Sequence, residues 1–295
     1  MAAIVQPRRN TAFLAGAALA ATAALFWSLA GVIVRQIDLP AVEVSFWRSV
    51  FMLLALLPVV LARPRTLTRD LATSGWAYLA SGCLLAITFV AFIVALGMTT
   101  VANVLFMFAA GPFITAIFAW LAMGEPARRA TLIAAGVAFG GILLTLIESL
   151  RVGDMAGLLL ALIVPVAFSA NTVLMRRHRT VRPLPGLAIA ALVSGLMTLP
   201  FVHWGALELR HLPWLLLLGP MQLALGLYCF TRALRYLPAA QAALIGLLEI
   251  VLGPIWVWLA YGEHPGGLAL IGGGIAVAAV LANGLAELRR SGAGV

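Results

Sequence analysis

The sequence contains no lysine, and only 10% of its residues are charged, against roughly 25% in an average soluble domain. Acids are scarcer still, ten against nineteen arginines, so arginine alone carries the net charge of +9. So little charge excludes a water-facing surface over most of the chain. With 63% hydrophobic residues and a mean hydropathy of +1.09, no soluble fold has enough interior, because the buried fraction rises only slowly with size. Lipid must be the solvent. A basic balance can mark a nucleic-acid binder; here it is better explained by arginines in cytoplasmic loops, and no nucleic-acid partner is expected. Cysteine is nearly absent too. Cys83 and Cys229 both fall in apolar runs, which excludes a disulfide framework and gives no metal spacing. No phosphate-binding loop or metal-ligand cluster occurs, so no cofactor is expected.

What is present is a series of apolar runs. A membrane helix needs about 20 mostly apolar residues. Breaks at charge, proline and glycine clusters give ten spans, near 12–34, 41–61, 73–96, 101–122, 129–148, 154–175, 184–203, 212–233, 239–260 and 265–286. The first run is too long for a cleaved signal core and reads as a retained span. The expected fold class is an all-α integral membrane protein.

Arginine position orients it. One set of ends carries Arg8 and Arg9, Arg63 to Arg69, Arg128 and Arg129, Arg176 to Arg182, Arg232 and Arg235, then Arg289 and Arg290. The other set carries only Arg35, Arg151 and Arg210, together with Asp38, Glu43, Glu148, Asp154, Glu208 and Glu263. The positive-inside rule puts both termini in the cytoplasm.

The chain also repeats itself. Trp120-Leu121-Ala122 and Gly124-Glu125 recur without a gap as Trp258-Leu259-Ala260 and Gly262-Glu263, 138 residues on, and Trp76 recurs as Trp214. Residues 1–148 and 149–295 each hold five spans. An odd count makes the second half enter the membrane from the opposite side. Such inverted repeats characterise secondary transporters, with a site near the midplane between the halves.

Two five-helix halves, each closing on WLAMGE (120–125) or WLAYGE (258–263), with FWSLAGVIVR at 26–35 and FWR at 46–48, resemble the EamA family of the drug/metabolite transporter superfamily. Within it the chain looks most like the YddG-type aromatic amino acid exporters of bacterial inner membranes. The resemblance implies a basket of ten helices around a central cavity lined by spans 1, 3, 4, 6, 8 and 9. It also implies export of amino acids, aromatic and other neutral ones such as threonine and methionine, by alternating access. The family commonly shows Leu-Glu-Pro-Val in span 9; here Leu248-Glu249 is followed by Ile250, and Pro254 lies one turn later. Any break in that helix is therefore expected lower, near Pro254.

The candidate cavity residues follow. Glu249 is an intramembrane carboxylate, by default functional; it is a candidate contact for substrate or proton, the alternative being a structural carboxyl. Asn103 and Gln241 are repeat mates, and Ser169, Asn171 and Gln222 are further polar residues inside spans; each can meet substrate or bond another helix. Trp27, Tyr78 and Tyr228 offer rings to an aromatic or apolar side chain, and Phe106 and Met107 sit beside them in the cavity set or the plain core. Pro112, Pro165, Pro220 and Pro254 are candidate hinges or gates, the alternative being simple kinks. Arg48 could bind a carboxylate, but it is expected to snorkel or pair within the scaffold, since span 2 is not among the cavity-lining spans. Gly136 and Gly140, and Gly272 to Gly274, permit close helix approach; the chain is expected as a monomer or weak homodimer. The alternative function is export of another small metabolite or drug; the competing classes are an intramembrane enzyme, for which Ser194 and His203 are the nearest pair, and a channel.

Overall fold

Backbone at membrane depth has no water to satisfy its N–H and C=O groups, so each apolar run must close its hydrogen bonds internally. The computed structural model does so with helices. Its described residues are 6–62, 64–98, 101–124, 129–149, 155–178 and 182–262, with isolated positions between 271 and 282, and no strand occurs among them. In chain order the helices are α1 (Gln6–Ser28), α2 (Ala30–Arg35), α3 (Ala41–Leu61), α4 (Pro64–Met98), α5 (Val101–Met107), α6 (Gly111–Met123) and α7 (Arg129–Ser149). They continue as α8 (Met155–Arg177), α9 (Pro183–Thr198), α10 (Leu212–Leu216), α11 (Gly226–Ala233), α12 (Ala239–Gly246) and α13 (Leu248–Tyr261).

Among the described residues, seven stretches are long and apolar enough to cross a membrane: Thr11–Arg35, Ala41–Leu61, Ala72–Met98, Leu159–Arg177, Pro183–Phe201, Leu209–Ala233 and Ala239–Tyr261. They match the expected spans 1 to 3 and 6 to 9. The expected fourth span is divided into α5, a 3-10 turn at Phe108–Ala110 and α6, and the fifth is α7. The tenth lies mostly outside the described residues. The link into span 3 is itself helical: α4 starts at Pro64 and is interrupted only at Ser74 (φ −142°, ψ 24°).

Lipid offers apolar side chains no reason to leave the surface, so helices associate by close packing of small residues. Ala20, Ala23 and Ala24 on α1 are fully buried, whereas Leu54, Leu121, Leu196 and Leu259 face outward. α4 lies along α8 and α9. α3 lies along α9 and the segment Leu217–Leu225, while α1 lies along α11, α12 and α13, and α6 along α8 and α12. The close approach expected at Gly136 and Gly140 is made instead by Gly141, whose α-carbon faces the Gly272 carbonyl.

The helix ends explain the repeated Gly-Glu. Gly124 (φ +61°) and Gly262 (φ +69°) are the only residues with positive φ among those described. Each ends its helix, α6 or α13, in the left-handed conformation that a Cβ disfavours.

Four irregularities interrupt the spans. Leu29 separates α1 from α2, the 3-10 turn separates α5 from α6, and Leu247 separates α12 from α13. Leu217–Leu225, with Pro220 inside it, is π-helical. The break in span 9 is therefore higher than expected. Pro254 sits within α13, and the tightened turn is at Leu247, where the Leu247 and Ile250 N–H groups donate to carbonyls three residues back. Pro254 leaves the Ile250 carbonyl, four residues earlier, without its helical donor; that site lies three residues past Leu247, so the proline does not itself account for the break.

Candidate functional site

The breaks converge on one cavity of about 90 Å³, several times the roughly 10–15 Å³ that one water needs. Phe108, Gly111 and Pro112 from the first broken span and Gly246, Leu247 and Glu249 from the second line it. Irregular backbone at membrane depth is tolerated where it borders a cavity, which is the situation of both. The rest of the wall is mostly apolar and includes five aromatic rings. Trp27, Phe168 and Phe230 pack ring to ring with centroids 5.2 to 5.5 Å apart, and Phe92 stands 5.6 Å from Phe108.

Hydrogen bonds pin the wall to the scaffold. Ser169 on α8 donates to the Gly111 carbonyl (3.1 Å), and Thr115 on α6 donates to the Ser169 hydroxyl (2.9 Å). α8 is thereby tied to the broken span. Gln222, in the π-helical segment, donates through Nε2 to the Trp27 carbonyl at 3.1 Å. One residue on, Ser28 accepts from Trp256 Nε1 (2.8 Å) and donates to the Leu25 carbonyl (2.7 Å). Both bonds sit beside the Leu29 break and hold α1 against spans 8 and 9.

Two charged groups reach the cavity. Glu249 makes no hydrogen bond or ion pair to other described residues and is half-buried. Arg48, from α3, is 1% exposed; its Nη2 donates to the Phe89 carbonyl at 2.8 Å, and its guanidinium lies 5.4 Å from the Phe89 ring centre. Arg48 thus bonds within the scaffold, one of the roles expected of it, but it also borders the cavity, which span 2 was not expected to reach. The reason is local. A Cβ on Gly219 would lie 2.6 Å from the Arg48 carbonyl oxygen, so glycine there lets α3 come close enough for its arginine to reach inward.

Of the residues picked from sequence, Trp27, Ser169, Gln222, Glu249, Pro112 and Pro165 line the cavity. Others lie elsewhere. Asn171 accepts a hydrogen bond from Ser81 (2.6 Å), tying α8 to α4. The Tyr78 hydroxyl accepts from the Arg182 backbone N–H (3.2 Å). Tyr228 packs on the main apolar cluster, Met107 on a smaller one, and Gln241 is buried in α12. Pro220 and Pro254 are inside helical segments away from the wall. The side chains of Asn103 and Phe106 lie outside the described residues. Ser194 bonds Ser49 (2.7 Å) while His203 pairs with Glu43 (2.8 Å), so the suggested Ser–His pair has separate partners. Sequence reasoning missed Thr115, Phe89, Phe92, Phe168 and Phe230. Phe92 and Phe230 carried a usable signal: they are repeat mates, 138 residues apart.

Comparison with known proteins adds three findings. The model of the EamA-like transporter family matches residues 14–147 and again 155–285. Pseudopaline exporters CntI from two strains of Pseudomonas aeruginosa are 29% identical over 284 residues, covering 90% of this chain and 95% of theirs. A protein crystal structure superposes with a TM-score of 0.74 at 19% identity, covering 93% of this chain and 98% of that one; at that identity the likeness concerns the fold.

Proposed function

We propose that this chain, which belongs to the EamA-like transporter family, is a secondary exporter of small zwitterionic metabolites, neutral amino acids with apolar or aromatic side chains first among them. Family and exporter relatives indicate a transporter and not an enzyme. The observation that carries the substrate reading is the cavity wall, mostly apolar and set with six aromatic rings, with Glu249 on it. Such a wall suits an apolar side chain, and the carboxylate suits an ammonium group.

The mechanism rests on two inverted halves, 1–148 and 149–295, forming a ten-helix basket. Four features support them. Gly124 and Gly262, the two left-handed caps, are 138 residues apart. So are the centre of the 3-10 turn at Phe108–Ala110 and the break at Leu247. Packing pairs come in mates: α4 on α8 with α11 on α1, and α6 on α8 with α13 on α1. Finally, the cavity wall is paired in the same register: Trp27 with Pro165, Phe89 with Leu227, Phe92 with Phe230, Phe108 with Gly246, and Gly111 with Glu249. A site on the axis between inverted halves is what alternating access requires. Pro112, beside the first break, and Pro165, opposite Gly111, are the prolines placed to act as hinges. The arginine distribution puts both termini in the cytoplasm of a bacterium with the chain in its inner membrane, as monomer or weak homodimer.

The test is purified protein in liposomes with labelled phenylalanine, threonine and methionine. Counterflow above empty vesicles is expected; none for any of the three would sink the amino acid reading. Glu249→Gln is expected to lower phenylalanine flux about tenfold or more, the scale of one charge-assisted hydrogen bond, and an unchanged rate would remove Glu249 as the ammonium contact. The pseudopaline exporters favour a second cargo. Labelled pseudopaline is the arm of the same assay that tests it.

A further inference from the structure

Two side chains on the cavity wall hold hydrogen-bonding capacity that the protein does not use. Arg48 is 1% exposed, yet among the described residues its Nε has no partner and no carboxylate lies within ion-pair distance of its guanidinium. Gln222 is 4% exposed and spends its amide N–H on Trp27, leaving Oε1 without a donor. Buried polar atoms are almost always partnered in folded proteins, and each exception calls for a reason. A neutral side chain could make the one bond that Arg48 gives to the Phe89 carbonyl. A guanidinium at membrane depth is conspicuously more than that bond needs, since it carries five N–H donors and a permanent charge.

We propose that Arg48 anchors the carboxylate of the transported solute, and that Gln222 Oε1 accepts a hydrogen bond from a donor group on the same solute. The cavity is then selective for small carboxylate-bearing molecules. Arginine suits this better than lysine would, because its planar fork engages both carboxylate oxygens. The Phe89 ring under the guanidinium holds its plane, and the contact of α3 with Gly219 fixes how far it reaches. The two residues come from α3 and from the π-helical segment, which pack on each other. Solute arrival therefore completes a bonding pattern already half built.

The inference rests on the transporter reading, and its test separates the two. Purified protein in detergent is titrated with 3-phenylpropionate, 3-phenylpropanol and phenethylamine while thermal unfolding is followed. The carboxylate is expected to raise the unfolding temperature more than the alcohol or the amine does. Equal shifts for all three overturn the subsite, and they do so on the unaltered protein. Arg48→Gln and Gln222→Leu follow. Arg48→Gln is expected to abolish the excess shift of the carboxylate and to raise the KM for phenylalanine about tenfold or more, with Arg48→Lys recovering part of it. If Arg48→Gln folds and keeps both, Arg48 is not the anchor. In the flux assay, phenylalaninamide is expected not to compete with phenylalanine; equal competition overturns the subsite while leaving transport standing. Carboxylate-specific stabilisation without amino acid flux upholds the subsite and removes the amino acid cargo.

Discussion

Replacing Gly219 with alanine is the sharpest test of how the site is assembled. The added Cβ would stand 2.6 Å from the Arg48 carbonyl oxygen and 3.2 Å from the Met52 backbone nitrogen, both on α3. A carbon and a carbonyl oxygen approach to about 3.3 Å at closest without strain, so α3 must withdraw by about 0.7 Å. The neighbours are backbone, not the ends of flexible side chains, and cannot swing aside. Overpacking of this kind costs about 1–3 kcal/mol, and each kcal/mol lowers the unfolding temperature by about 2–4 °C in large domains. The withdrawal also lengthens the 2.8 Å bond from Arg48 Nη2 to the Phe89 carbonyl. Gly219→Ala is therefore expected to unfold several degrees lower in detergent and to lose flux in liposomes. Gly140→Ala is the control. It lies exposed on α7 with nothing within 4 Å of its Cβ position, and helix propensity alone should leave it neutral or up to about 1 kcal/mol more stable. If Gly219→Ala melts and transports like the wild type, α3 is not held against the π-helical segment by that contact, and the placement of Arg48 loses its explanation.

Three further outcomes are expected. Trp256→Phe removes the donor to Ser28 and should lower stability by about 0.5–1.5 kcal/mol in a chemical melt; no change would mean that bond does not hold α1 to span 9. Gly124→Ala and Gly262→Ala both force a Cβ into the left-handed region, costing about 1–2 kcal/mol each, and similar losses from both should appear in parallel thermal melts. Gly226→Ala would set a Cβ 2.5 Å from Trp27 Nε1; the ring must move, and the KM for phenylalanine should rise in the flux assay, whereas an unchanged KM would take Trp27 off the substrate path.

The sequence made the spans legible because apolar length is a demand that lipid imposes on every crossing helix. Gly124 and Gly262 were equally readable, as a repeated Gly-Glu pair whose glycine turns out to be a conformational necessity. Cavity residues were legible where polarity stood out against lipid, as with Ser169, Gln222 and Glu249. The same criterion misled at Asn171, whose amide serves a helix–helix bond with Ser81, because a polar atom in a span is satisfied either way. Phenylalanines gave no contrast at all. Phe89, Phe168 and Phe230 look like any core residue until packing turns one edge toward the cavity. Arg48 was visible and discounted. Its reach depends on a glycine 171 positions later in the chain, and contacts that distant leave no trace in local pattern. The break at Leu247 was misplaced because no proline stands at it, while Pro254, seven residues on, is accommodated inside α13.

The paired cavity wall has a consequence for the resting state of the proposed carrier. Were the two halves identical in sequence, exchanging them would convert the inward-open shape into the outward-open one at no cost, and the carrier would rest equally in both. Residues that differ between mates break that degeneracy. On the wall the unequal mates are Trp27 against Pro165, Phe108 against Gly246 and Glu249 against Gly111. In the inverted-repeat carrier we propose, these pairs would set which gate is open when the carrier is empty, and so the kinetics of the cycle, while the gradients across the membrane set its direction.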